Sequence, residues 1–256
     1  MPGRTTARSA DARAADATAL PRAPRSRFEL PETHRGVLTD AERALALAHV
    51  RALLEVPTAP YAEDGPLAVV RAFAREHGLA LTEDRHANLI VRWKGTRRAK
   101  GPVLAYSAHL DHPGFLYAGK RAGKHVASFH GGVPGRYLPG ARVRFFDLAT
   151  RGERATAAIA SVKKAEDLYL CTLDDVAGEL RAGTFGMWDL TPGAIRGQRL
   201  HARVCDDLMG AAAILSTLAW CVRVKHPEPV LGIFTRAEET GFVGCIGLLR
   251  ARSLAS

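Results

Sequence analysis

Two short, largely apolar runs far apart in the chain, Val103-Leu104-Ala105-Tyr106 and Val230-Leu231-Gly232-Ile233-Phe234-Thr235, each lead directly into titratable side chains. The first delivers His109 and Asp111, the second Glu238 and Glu239. A continuous apolar run of this length reads as a strand buried on both faces of an α/β sheet rather than one with a wet face. Open α/β sheets bind ligands beyond the carboxyl ends of their strands, so the two deliveries are expected to converge on one crevice.

The segments around these runs fit the same class. Helical spacing begins after Thr39, a plausible N-cap, with Ala44, Leu45, Ala48, Leu53 and Leu54 on one broad face and Pro57 as the stop. Asp64 is expected to cap a second helix with Leu67, Val70 and Phe73 inward and Gly78 just past its end. Leu79 to Lys94 reads as two strands around a turn near His86, Ala87 and Asn88. Asp206-Asp207 opens an apolar helix, Leu208 to Cys221, which Pro227 and Pro229 separate from the strand that follows. Between about 117 and 197, Gly-rich turns divide short β-like runs such as Ala141 to Phe145 and Leu168 to Cys171, the signature of an all-β insertion. Residues 1–36 are Ala, Arg, Pro and Thr without apolar periodicity and read as a disordered arm.

Composition narrows the function classes. With 256 residues, 47% hydrophobic and 24% charged, the chain reads as a folded globular protein, and no run approaches the ~18–20 apolar residues of a membrane helix. The net charge of +10 is scattered apart from seven Arg against four acids in residues 1–35. No aromatic-interleaved basic strand accompanies it, so neither a nucleic-acid nor a membrane partner is expected. Cys171, Cys205, Cys221 and Cys245 form no CxxC pair; they read as free thiols in a reducing, cytoplasmic compartment, with Cys205 as a small buried hydrophobe.

Taken singly, the chemical motifs have ordinary alternatives. His109-Leu110-Asp111 puts both polar side chains on one side of an extended segment, where the carboxylate can orient the imidazole and free its other nitrogen for a metal; a surface ion pair would look the same. Asp206-Asp207 could be only an N-cap, and Glu238-Glu239 only a charged loop, although adjacent carboxylates after a buried strand invite neutralisation by a dication. His130 reads as a turn residue, and His201 as lying one strand before Asp206.

Taken in order, the three segments Ala108-His109-Leu110-Asp111-His112-Pro113-Gly114, Ala202 to Gly210 and Phe234 to Gly241 resemble the motifs of the co-catalytic zinc exopeptidases. The 97 positions between His109 and Asp206 (206 − 109) leave room for an inserted domain, as in the glutamyl and tetrahedral aminopeptidase family, and Asp84 to Val91 is similar to that family's early strand. The resemblance implies a three-layer α/β/α catalytic domain in two parts, 37–116 and 198–256, interrupted by a small β-barrel-like domain at 117–197, with the carboxyl-terminal part missing. It implies two divalent ions, zinc by default and cobalt or manganese as alternatives, with His109 on one, Asp206 bridging and Glu239 on the other. Asp111 would orient His109, Glu238 would be the general base, and Asp207 would help fix Asp206, often through a cis peptide. A peptide substrate and a homo-oligomer built through the β domain follow as expected partners. Two departures stand out. His112 occupies a position where relatives often have Glu, and residues 240–256 contain no Asp, Glu, His or Cys except Cys245, so each metal is expected to lack a ligand. The rival readings are an amidohydrolase acting on N-acyl amino acids with the same metals, and a non-catalytic remnant of the fold.

Overall fold

A computed structural model describes residues 38–97, 103–166, 168–197 and 199–251. The expected arm at 1–36 lies outside the described residues. Thr39 is the N-cap of α1 (Asp40–Glu55), where its hydroxyl accepts from the Glu42 amide at 3.2 Å and the Glu42 carboxylate accepts from the Thr39 amide at 2.8 Å, a complete capping box. The buried stripe of α1 runs through Glu42, Leu53 and Leu54, while Ala44, Leu45 and Ala48 face solvent. The Ala/Leu composition of this helix makes it weakly amphipathic, so spacing alone did not single out the packed face. α2 (Asp64–Glu76) does bury Leu67, Val70 and Phe73, but it starts at Asp64 with Glu63 in the capping position.

The strands β1 (Ala80–Glu83), β2 (Leu89–Trp93) and β3 (Leu104–His109) belong to a four-stranded sheet completed by the strand Val230–Thr235. Six strands then close a barrel: β4 (Gly114–Arg121), β5 (Lys124–His130), β6 (Arg142–Asp147), β7 (Glu153–Ala165), β8 (Leu168–Gly178) and β9 (Thr184–Trp188). A hairpin of β10 (Gly193–Arg196) and β11 (Arg199–Ala202) leads into α3 (Leu208–Arg223), β12 (Val230–Thr235) and α4 (Val243–Ala251).

The sheet order is β1-β2-β12-β3, with β12 parallel to β3 and antiparallel to β2. Alternation along its central strands sorts side chains between two layers. Leu89, Val91, Val230 and Phe234 pack with α1, α2 and α3, whereas Ile90, Leu231 and Ile233 pack with Leu248 of α4. Helices therefore cover both faces, the α/β/α arrangement expected. Gly232 lets α3 approach: a Cβ there would stand 2.5 Å from Ile214 Cγ2 and 2.9 Å from Leu218 Cδ1.

One expectation fails. β12 is central and wholly buried, but among the described residues β3 is an edge strand paired with β12 alone, and Leu104 and Tyr106 remain 55% and 41% exposed. Only its last two residues, Ala108 and His109, are buried. A doubly buried strand and an apolar edge strand share one sequence pattern, because the pattern does not say what lies alongside.

The barrel is held by Phe115, Phe129 and Phe145 with Trp188 across from Phe115 at 4.9 Å. Asp147 pins one rim: its Oδ1 accepts from the amides of Ala149 and Thr150, and its Oδ2 from Arg154 and Arg181. These bonds, led by the one from the Thr150 amide, hold its carboxyl well below the usual range. The four cysteines are free, and burial pushes Cys171 and Cys221 up to about 12 and about 11. Cys205 is exposed, contrary to expectation, because it stands at the open end of α3 next to Asp206. Among the described residues no helix is long and apolar enough to cross a membrane.

Candidate functional site

The loops leaving β3 and β12 are joined at the carboxyl edge of the sheet, where the Leu110 amide donates to the Thr235 carbonyl at 3.0 Å. Asp111, fully buried, lies between them. Its Oδ1 and Oδ2 accept from the amides of Glu238 and Glu239, each at 3.1 Å, and its Oδ1 stands 3.4 Å from His109 Nδ1. Burial alone would raise this carboxyl; the bonds from His109 and the two amides outweigh it and bring it below its ordinary value.

His109 closes β3 with its imidazole between acids. Nδ1 contacts the Asp111 carbonyl at 3.1 Å, and Nε2 faces Asp206 Oδ1 at 3.1 Å and Glu238 Oε2 at 3.8 Å. Burial works against a charge here, but Asp111, Glu238 and Asp206 together push the imidazole up to about 9. Oxygens gathered around one ring nitrogen favour a proton at that point, and a divalent cation in its stead.

Asp206 and Asp207 are joined by a cis peptide at the head of α3. The Asp206 side chain is 92% exposed and turned to His109, whereas Asp207 Oδ2 accepts from the His109 amide at 3.3 Å. Burial, with Asp206 adding to it, raises the Asp207 carboxyl. A Cβ at Gly210 would come within 2.0 Å of Asp207 Oδ1, so glycine is needed for Asp207 to fold back over the helix start. Glu239 is half-buried, its Oε2 accepting from the Gly132 amide at 3.3 Å just beyond β5, and burial raises its carboxyl.

The donor types suit a metal of the zinc kind, and so does one spacing. Two donors on a tetrahedral zinc at roughly 2.0–2.2 Å stand about 3.3 Å apart, close to the 3.1 Å between His109 Nε2 and Asp206 Oδ1. The donor count falls short: among the described residues no group of three or more His, Cys, Asp or Glu is placed to hold a metal ion.

Several further residues at the site were given no role from the sequence. Glu63 is fully buried with Arg236 Nη2 at 2.7 Å; burial raises its carboxyl, and Arg236 pulls it back in part. Asn88 Oδ1 accepts from the Arg236 amide at 3.1 Å. His112 is fully buried and donates from Nδ1 to the Pro113 carbonyl at 2.9 Å; burial, then Arg203, pushes it down to about 4, so a neutral imidazole stands where the family resemblance would put a carboxylate. Arg203, itself buried and brought down to about 10, donates to the Leu54 carbonyl at 3.1 Å. Asn88, His112, Arg203 and Arg236 lay inside segments that the motif comparison had singled out, whereas Glu63 is a single charged residue that looks like any other in sequence.

No family model matches the chain, and no curated protein matches it. Solved structures do. An aminopeptidase from the archaeon Desulfurococcus kamchatkensis superposes with a TM-score of 0.61 at 19% identity, covering 78% of this chain and 58% of its own. The Pyrococcus horikoshii TET1 peptidase, described as assembling into a tetrahedron or a large octahedral shell, gives 0.60 at 19%, covering 78% and 63%. A TET aminopeptidase from a marine-sediment Thaumarchaeota archaeon gives 0.63 at 19%, covering 80% and 61%. The chain thus spans less than two thirds of the length of these proteins. Over that span it shares the α/β/α fold of these aminopeptidase structures.

Proposed function

We propose that the chain is an aminopeptidase-type hydrolase that cleaves amino-terminal residues from peptides and depends on divalent metal. The observation that carries this reading is the convergence of Asp206 and Glu238 on His109 Nε2, with buried Asp111 behind the ring. His109, Asp206 and Glu239 would hold two ions, which when bound would polarise the scissile carbonyl and lower the pKa of water. Asp111 fixes the ring orientation and, through two amides, the main chain of the Glu238-Glu239 turn. Glu238 takes the proton from the attacking water and returns it to the leaving amine; its side chain is partly exposed, its Oε2 stands 3.8 Å from His109 Nε2, and its main chain is held by Asp111. We assign the catalytic domain to 37–116 and 198–256 and the inserted domain to 117–197. The barrel is the surface through which copies of the chain would assemble.

The short donor count favours a second reading, a remnant that keeps the fold without the chemistry. Metal content separates the two. The full chain is dialysed against zinc or cobalt, metal is counted per chain, and unblocked aminoacyl and N-acyl substrates are assayed. Bound metal with turnover on unblocked substrates supports the aminopeptidase; turnover confined to N-acyl substrates, or neither metal nor turnover, refutes it.

A further inference from the structure

The turn bearing Glu238 and Glu239 is gripped amide by amide. The N–H groups of Arg236, Ala237, Glu238 and Glu239 donate in succession to Asn88 Oδ1 (3.1 Å), Glu63 Oε1 (2.9 Å), Asp111 Oδ1 (3.1 Å) and Asp111 Oδ2 (3.1 Å). Three side chains from three separate parts of the chain do what a neighbouring strand would do for an extended segment. Ala237 adopts φ 51°, a left-handed conformation that a non-glycine residue keeps only where its surroundings over-determine it.

Of the three, Glu63 breaks a local rule. It occupies the position that would cap α2, yet its side chain makes no capping bond. Instead Oε1 accepts from the amides of Tyr61 (3.1 Å) and Ala237, while Oε2 accepts from Arg236 Nε at 2.8 Å. The loop that carries it, residues 58–63, is itself tied on two other sides. Thr58 Oγ1 donates to the Leu110 carbonyl at 2.9 Å, between His109 and Asp111, and Ala59 and Ala62 pack with Phe146, Phe185 and Met187 of the barrel. A Cβ at Gly114 would stand 2.6 Å from that of Ala59, so the fit against the barrel is close.

We infer that Glu63 is a positioning residue: by holding the Ala237 amide and the Arg236 guanidinium it sets where the main chain of Glu238 and Glu239 stands relative to His109. The geometric claim stands alone; its consequence for turnover rests on Glu238 being the base.

Amide hydrogen exchange on the full chain tests it in wild type, Glu63→Gln and Glu63→Ala. Exchange of the amides of residues 237–239 should rise roughly 10–100-fold in Glu63→Ala, the effect of losing a charge-assisted bond, while barrel amides such as those of Phe145 and Ala157 keep their protection. Glu63→Gln, whose amide oxygen can still accept from Ala237, should recover part of the protection. In an active protein kcat should fall with KM within about twofold, in the same order of variants. Unchanged loop exchange in Glu63→Ala, or loop and barrel exchange rising in step, would each overturn the inference; accelerated loop exchange with unchanged kcat would uphold the positioning and overturn Glu238 as the base. If Glu63→Ala does not fold, Arg236→Lys decides by the same loop-against-barrel comparison. A wild type without hydrolysis would defeat the aminopeptidase reading and leave the exchange result to decide this one.

Discussion

His109 Nε2 and Asp206 Oδ1 lie 3.1 Å apart across 97 positions of sequence. Nearly all of the intervening chain is the barrel and the β10–β11 hairpin, which leave at the carboxyl end of β3 and return at the head of α3. The contact therefore depends on how the barrel closes and on how tightly α3 seats against β12.

Glu238 and Glu239, though adjacent, should respond differently to loss of charge. Glu238→Gln should retain zinc or cobalt and lose turnover by on the order of 10²–10⁴. Glu239→Gln should weaken metal binding. Metal content by elemental analysis, set beside initial rates, checks both, and equal loss of metal from the two variants would remove the assignment of Glu238 as base.

His112 should make stability fall in mild acid. The imidazole is buried neutral with a folded value of about 4 against 6.5 unfolded, so between those values the unfolded chain binds more protons than the folded one. Its contribution is neutral above pH 6.5, and stability is lost as pH falls from 6.5 towards 4. The cost between pH 7 and pH 4.5 is about 2–3 kcal/mol. Urea unfolding at both pH values, on wild type and His112→Gln, should show that increment only in the wild type.

Gly232 should not tolerate a side chain. Gly232→Ala places a methyl group against Ile214 and Leu218, an overpacking that costs about 1–3 kcal/mol and pushes α3, with Asp206 at its head, off the sheet. Denaturant midpoints give the first effect. Weaker cobalt retention at equal folded fraction gives the second.

The β3 edge should drive self-association. Leu104 and Tyr106 lie exposed on a strand whose outer edge has no partner among the described residues, and no charge interrupts Leu104 to Ala108. Tyr106→Lys should lower light scattering at a given concentration while changing stability by under about 0.5 kcal/mol, as for an exposed site. Scattering that does not respond would place the association elsewhere.

Sequence alone determined the fold class. Periodicity separated helices from strands, the Thr39 and Glu42 pair marked a helix start, and the motif order gave a fold that superposition on solved structures supports. These features are local, written in spacing and residue type. What stands beside what was decided only by the tertiary structure. The run Val103 to Tyr106 reads like Val230 to Phe234, yet one lies at a sheet edge and the other at its centre, because burial belongs to the neighbours and not to the strand. Glu63 reads as one acid among many before a helix; its task at Ala237, 174 positions away, exists only once the 58–63 loop is pressed between the barrel and the sheet. Hydrogen bonds of that kind are set by the packing of rigid elements, and no period in the chain encodes them.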